Sequence, residues 1–97
     1  MNDQQLARSL QTVGMACFVR YFSIFKDSSL LNADVAALIV AKEKYKERAT
    51  LTRVSQARRI IREGRAVDAL RMIASATNVE ADASSRARSL VNSTIAR

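Results

Sequence analysis

The densest concentration of groups able to hold an anion runs from Thr50 to Arg65, TLTRVSQARRIIREGR, where hydroxyls, a carboxamide and guanidinium groups share one stretch. At about 100° per residue, Val54, Ala57, Ile60 and Ile61 fall on one arc of a helix, and Thr52, Ser55, Arg58, Arg59 and Arg62 on the opposite one. One face packs; the other meets solvent or a polyanion. A helix fits the major groove of DNA, arginine grips guanine edges or phosphates with two donors at once, and Thr, Ser and Gln are short polar readers. With its N-terminus leading into the groove, Thr50, Thr52, Arg53 and Gln56 lie nearest the bases. Lys46, Arg48, Arg58, Arg59 and Arg62 then neutralise phosphates. Arg53 stands at the edge of the apolar arc and has a competing role in an ion pair at the margin of the core. For the stretch as a whole, the competing reading is the charged outer face of any soluble helix.

The distribution of charge points to the same segment. Sixteen Lys and Arg against nine Asp and Glu give a formal net charge of +7, which favours phosphate-rich partners or anionic surfaces through long-range attraction. Residues 1–40 are neutral, with three basic and three acidic side chains. Residues 41–71 carry ten basic against four acidic, a net of +6. Residues 72–97 add only +1 and read as scaffold.

Other chemistries find little support. The chain has no His for proton transfer near neutral pH, no nucleophile–base pair and no Gly-rich phosphate loop, so no catalytic residue is assigned. One Cys, no His and scattered carboxylates leave neither a zinc nor a calcium ligand set, and no cofactor is expected. Cys17 cannot form an internal disulfide and lies in an apolar run, where a thiol acts as a small hydrophobe. The start, MNDQQLARSL, lacks the basic region of a signal peptide, and the apolar run from Val13 to Phe25 is short for a membrane span and holds Arg20. A cytoplasmic protein without membrane contact is expected.

The elements that must position the basic stretch are helices. Ninety-seven residues with no Pro, two Gly and 5% aromatics favour one all-α domain, a compact bundle of about five helices over residues 1–97. Leu6, Leu10, Val13, Cys17, Tyr21 and Ile24 keep helical spacing in a first helix from Gln4 to about Lys26, widened by Met15, Phe18, Phe22 and Phe25. So broad an apolar surface must be covered, by later helices or by a second copy, and a homodimer through this helix is expected. The aromatic residues there read as core, not as stacking platforms. After the Asp27–Ser29 break, Asn32 is placed to cap a second helix, with Leu31 as a hydrophobic staple and Val35, Leu38, Ile39 and Tyr45 buried. It ends near Tyr45 or Lys46, and KEKYKER (Lys42–Arg48) is either an extended helix end or a turn. Thr50 is placed to cap the third helix, and Gly64 to close it in the left-handed conformation. A fourth helix, Ala66 to Thr77, buries Val67, Leu70, Ile73 and Ala74. A fifth, Ala81 to Ile95, buries Ala83, Ala87, Leu90, Val91 and Ile95.

LLNADVAALI followed by TLTRVSQARRIIRE resembles the helix-turn-helix of sigma-factor region 4 and of related response-regulator domains. There an Ala-Asp/Glu-Val-Ala first helix precedes a Thr-initiated recognition helix that ends in an Arg-rich run. The likeness covers about a third of the chain. It implies a helix-turn-helix centre and DNA-binding transcription regulation, with Thr50, Thr52, Arg53 and Gln56 facing DNA and Val35, Ala36 and Leu38 packing the two helices together. That family joins its helices by a turn of a few residues, whereas Val40 to Ala49 intervenes here without a Gly. A second stretch, GRAVDALRMIASATNV, resembles through Gly64, Ala69 and Leu70 the opening of a helical-hairpin repeat used in protein binding. It implies the alternative function, docking of an acidic protein partner. On the DNA-binding reading, replacing Arg58 and Arg59 together by Ala weakens binding to duplexes of any sequence and flattens its salt dependence without unfolding the chain.

Overall fold

A stripe that is apolar on most sides cannot reach one core from a single straight helix. The computed structural model, which describes residues 1–95, divides the expected first helix into three: α1 (Asp3–Val13), α2 (Met15–Arg20) and α3 (Phe22–Lys26). The first break is at Gly14, with φ +90° and ψ 124°, a conformation that L side chains rarely adopt. The second is at Tyr21, with φ −110° and ψ 21°. Each break turns the chain so that Phe18, Phe22 and Phe25 all point inward, with ring centroids 5.5 and 6.2 Å apart for Phe18–Phe22 and Phe18–Phe25. Burying one Phe contributes about 1.5–3 kcal/mol, more than the roughly 1 kcal/mol of a helical hydrogen bond given up at a break.

The rest of the chain forms α4 (Asn32–Glu43), α5 (Glu47–Arg62), α6 (Ala66–Ser75) and α7 (Ala81–Ile95), so the described residues are all helix and connection, with no strand. Helix α5 is central and packs against α1, α3, α4 and α6, while α7 covers α6 and α2. The core runs through Leu6, Leu10 and Val13 of α1, the aromatics, Val35 and Ile39 of α4, Val54 and Ile60 of α5, and Leu70 and Ile73 of α6. The apolar residues of α1 to α3 are therefore covered by later helices of the same chain. No helix among the described residues is long and apolar enough to cross a membrane.

Several local expectations change. The first helix starts at Asp3, where Asn2 Oδ1 accepts from the Gln5 amide at 2.8 Å and Gln5 Oε1 accepts from the Asn2 amide at 3.0 Å, a reciprocal capping box. Leu31, not Asn32, precedes α4, and it is 70% exposed, so no staple forms. Leu38 faces outward at 39% exposure, and Ala36 takes the buried position. Thr50 is not a cap. Helix α5 begins three residues earlier, and the fully buried Thr50 hydroxyl donates to the Lys46 carbonyl at 2.8 Å within the helix. Helix α6 stops at Ser75, and Ile95 lies beyond the core at 54% exposure. KEKYKER resolves into the end of α4, a turn over residues 44–46 and the start of α5, with Lys44 left-handed at φ 59°.

Gly64 closes α5 with φ +74°, and the paired bonds from the Gly64 amide to Ile61 O and from the Arg65 amide to Ile60 O make a complete Schellman motif. A Cβ at Gly64 meets nothing within 4 Å, whereas one at Gly14 would lie 3.0 Å from Arg53 Nη1. Gly64→Ala is expected to cost about 1–2 kcal/mol, the left-handed penalty alone. Gly14→Ala, strained and crowded, is expected to cost about 3 kcal/mol or more. Urea unfolding of the two variants checks this, and equal losses would contradict it.

Candidate nucleic-acid interface

Because α5 contacts four other helices, most of its circumference is committed to packing. The arc left to solvent carries Arg48, Thr52, Ser55, Arg59 and Arg62, all exposed. At 100° per residue these five fall within roughly 80°, opposite Thr50, Val54, Ala57 and Ile61. With a rise of 1.5 Å per residue the stripe from Arg48 to Arg62 is about 21 Å long. The two acids at this helix, Glu47 and Glu63, occupy its first position and its C-cap, so no carboxylate interrupts the stripe. Among the described residues the side-chain ion pairs are Arg20–Glu43, Arg65–Asp3 and Arg65–Asp68, and none engages Arg48, Arg59 or Arg62.

The structure separates the residues expected at the interface into two groups. Lys46, Arg48, Thr52, Arg59 and Arg62 are exposed, Lys46 immediately preceding α5. Thr50, Arg53, Gln56 and Arg58 face other parts of the chain. Thr50 is inside the core. Arg53 Nη1 donates to the Val13 carbonyl at 2.7 Å, and its guanidinium lies 4.3 Å from the centroid of the Tyr45 ring. That is the structural role left open for Arg53, with a carbonyl and an aromatic face in place of an acid. Gln56 Oε1 accepts from the Ser9 hydroxyl at 3.1 Å. Arg58 is the largest departure. It points sideways, donating to the carbonyls of Phe25, Asp27 and Leu30 and to Asn32 Oδ1, the last three at 2.7–2.8 Å. It thus satisfies carbonyls at the end of α3 and in the following loop, and it takes the Asn32 side chain that was expected to cap α4.

Three exposed residues had no contact role among the expected interface residues. Ser55 shares the stripe, as its helical angle already indicated. Lys42 and Lys44 join Lys46 and Arg48 around the turn that enters α5, and the every-other-residue basic pattern in KEKYKER carried that signal. The stripe contains guanidinium groups and hydroxyls and no His, Cys or carboxylate, so it offers hydrogen-bond donors and positive charge, not metal ligands or an acid–base pair.

Behind the stripe, α4 is tied to α2 and its junction with α3 through Glu43. Its Oε1 accepts from Arg20 at 2.7 Å and its Oε2 from the Tyr21 hydroxyl at 2.6 Å. The Tyr21 hydrogen bond, then Arg20, hold the Glu43 carboxyl below its usual range. Burial, then the bond to Glu43, push the Tyr21 phenol up to about 12. Burial likewise raises the Cys17 thiol, the main influence on it, in keeping with an inert core position. Comparison with family models, curated proteins and solved structures found no match.

Two outcomes follow. A carboxylate with a lowered folded-state pKa contributes stability above its ordinary titration range and loses it as pH falls through the lowered value. Glu43→Gln is therefore expected to shallow the acid-side fall in thermal stability relative to the unmodified chain, and an unchanged acid limb would argue against the tie. Arg58→Ala, which strands several carbonyls, is expected to cost about 1–3 kcal/mol in urea unfolding. A loss below about 0.5 kcal/mol, the scale of a surface change, would contradict the anchoring role.

Proposed function

We propose that this protein binds duplex nucleic acid, with DNA as the primary ligand, through the exposed face of α5. The observation that carries the reading is the acid-free stripe Arg48, Thr52, Ser55, Arg59 and Arg62, whose three guanidinium groups have no ion-pair partner in the described structure. The arginines that serve the fold have partners within it, Arg65 and Arg20 on carboxylates and Arg53 and Arg58 on carbonyls. Positive groups along about 21 Å of a helix match a duplex that presents one phosphate charge per roughly 1.7 Å of its axis. The three-residue link over positions 44–46 supports the resemblance to a helix-turn-helix, because it joins α4 to α5 by a short turn. On this reading α4 supports α5, Lys44 and Lys46 approach the backbone beside the helix N-terminus, and Thr52 and Ser55 are the residues on the stripe short enough to read base edges.

Fluorescence anisotropy with a random-sequence duplex, from about 50 to 200 mM salt, tests the proposal. Affinity is expected to fall linearly on a log–log plot, and the Arg48→Ala, Arg59→Ala, Arg62→Ala triple variant to lower the slope by up to about 2.7. The fold of that variant should be intact, because none of the three side chains has an ion-pair or hydrogen-bond partner in the described structure. Absence of duplex binding at low salt would overturn the reading and turn attention to acidic protein partners.

A further inference from the structure

The face of α5 that carries Arg59 does not end at the helix edge. Where α1 packs beside it, a surface groove of about 320 Å³ opens between the two helices, lined by Gln5, Arg8, Ser9 and Thr12 from α1 and by Gln56 and Arg59 from α5, with Met1 at one end. No carboxylate among the described residues lines it. Arg8 and Arg59 are both exposed, and neither has an ion-pair partner among the described residues.

The hydrogen bonds already made in the groove fix what it can still accept. Gln56 Oε1 is occupied by the Ser9 hydroxyl, and Gln5 Oε1 by the Asn2 amide. Both carboxamides are thereby oriented by their acceptor ends, and their Nε2 groups keep their donors. The Thr12 hydroxyl donates to the Arg8 carbonyl at 3.3 Å, back along its own helix. The free polar capacity of the groove is thus dominated by two guanidinium groups and two carboxamide N–H₂ groups. The Met1 ammonium is already paired with Glu63 at 3.7 Å, and a site with unpaired donors on both walls and no carboxylate in its described lining suits an oxyanion with several acceptor oxygens.

We propose that this groove is a phosphate site, and that it holds a backbone phosphodiester of the duplex that docks on α5. The inference rests on the proposed function and extends it: α1, through Arg8, is part of the footprint, with Arg59 shared between the stripe and the groove. Gln5 and Gln56 orient the phosphate by hydrogen bonding, and the Ser9–Gln56 bond holds the Gln56 amide toward it. The same bond couples the groove to the packing of α1 on α5, so the distance between its two walls is set by the core and not by the ligand.

Two measurements on the full chain test this. In the salt series with random duplex, Arg8→Gln is expected to lower the log–log slope by about 0.9, the value of one phosphate contact. Arg86→Gln, an exposed charge removed from α7, is the charge-matched control and is expected to leave the slope unchanged. Titration with inorganic phosphate, followed by the side-chain amide resonances of Gln5 and Gln56, is expected to move both saturably in the unmodified chain and neither in Arg8→Gln. Equal slopes for Arg8→Gln and Arg86→Gln, or amide resonances that ignore phosphate, overturn the groove assignment. The helix-docking reading survives that result if the α5 triple variant still loses affinity. If the unmodified chain binds no duplex, both readings fall, and a phosphate response on its own then marks a small-anion site unrelated to nucleic acid.

Discussion

The bond from Arg53 to the Val13 carbonyl is the contact on which the arrangement of the other elements depends. The break at Gly14 leaves the Val13 carbonyl without a continuing helix, and a buried carbonyl left unpaired costs about 1–3 kcal/mol. Arg53 supplies the missing donor from α5, at 2.7 Å. Its guanidinium also lies against Tyr45 in the α4–α5 turn, so one side chain joins the α1–α2 junction to that turn. The missing Cβ at Gly14 leaves room for the same group, since a methyl there would sit 3.0 Å from Arg53 Nη1. Bend, glycine and arginine form one device. It sets how α1 lies along α5, and it sends α2 toward α7.

The arginines of α5 divide according to angle. Arg53 and Arg58 leave the helix at its two flanks, where neighbouring elements present bare carbonyls. A planar guanidinium spreads five donors over a fork and reaches carbonyls that lie apart, whereas a lysine has three donors on one nitrogen. Arg48, Arg59 and Arg62 leave it on the open side, where none has a side-chain partner among the described residues. The formal charge of this segment therefore overstates what a partner would meet, because part of it is spent on internal acceptors. The part that remains is concentrated on one arc, with acids only at the two ends of the helix, Glu47 and Glu63. That separation of structural from free cations is the basis of the proposed interface.

The short link between α4 and α5 depends on a less expected residue. Lys44 takes the left-handed conformation that usually falls to Gly or Asn, and its amide donates to the Val40 carbonyl at 3.0 Å to end α4. A penalty of about 1–2 kcal/mol for a non-glycine residue there is offset by what the turn brings together. Tyr45 is placed under Arg53, and Glu43 is placed to receive Arg20 and Tyr21. The turn thus holds α4 against both α5 and the aromatic segment.

The all-α class, the fifth helix, the Gly64 stop of the third and the concentration of charge in residues 41–71 were legible in the sequence, because helical periodicity, glycine conformation and charge are local properties. The inward role of the aromatics was equally readable from their spacing. Periodicity could not show that the first helix breaks twice, since Val13 to Phe25 keeps helical spacing across both breaks and only the need to bring three Phe rings into one core decides against a straight rod. Nor could it separate Arg58 from Arg59, which are adjacent in the chain and equally basic. Their fates differ because the end of α3, some thirty residues away in sequence, presents its carbonyls to one side of α5 and not to the other. The same reason hides the groove between α1 and α5: Arg8 and Arg59 carry no mark of each other in the sequence, and only the packing of the two helices brings them to one surface.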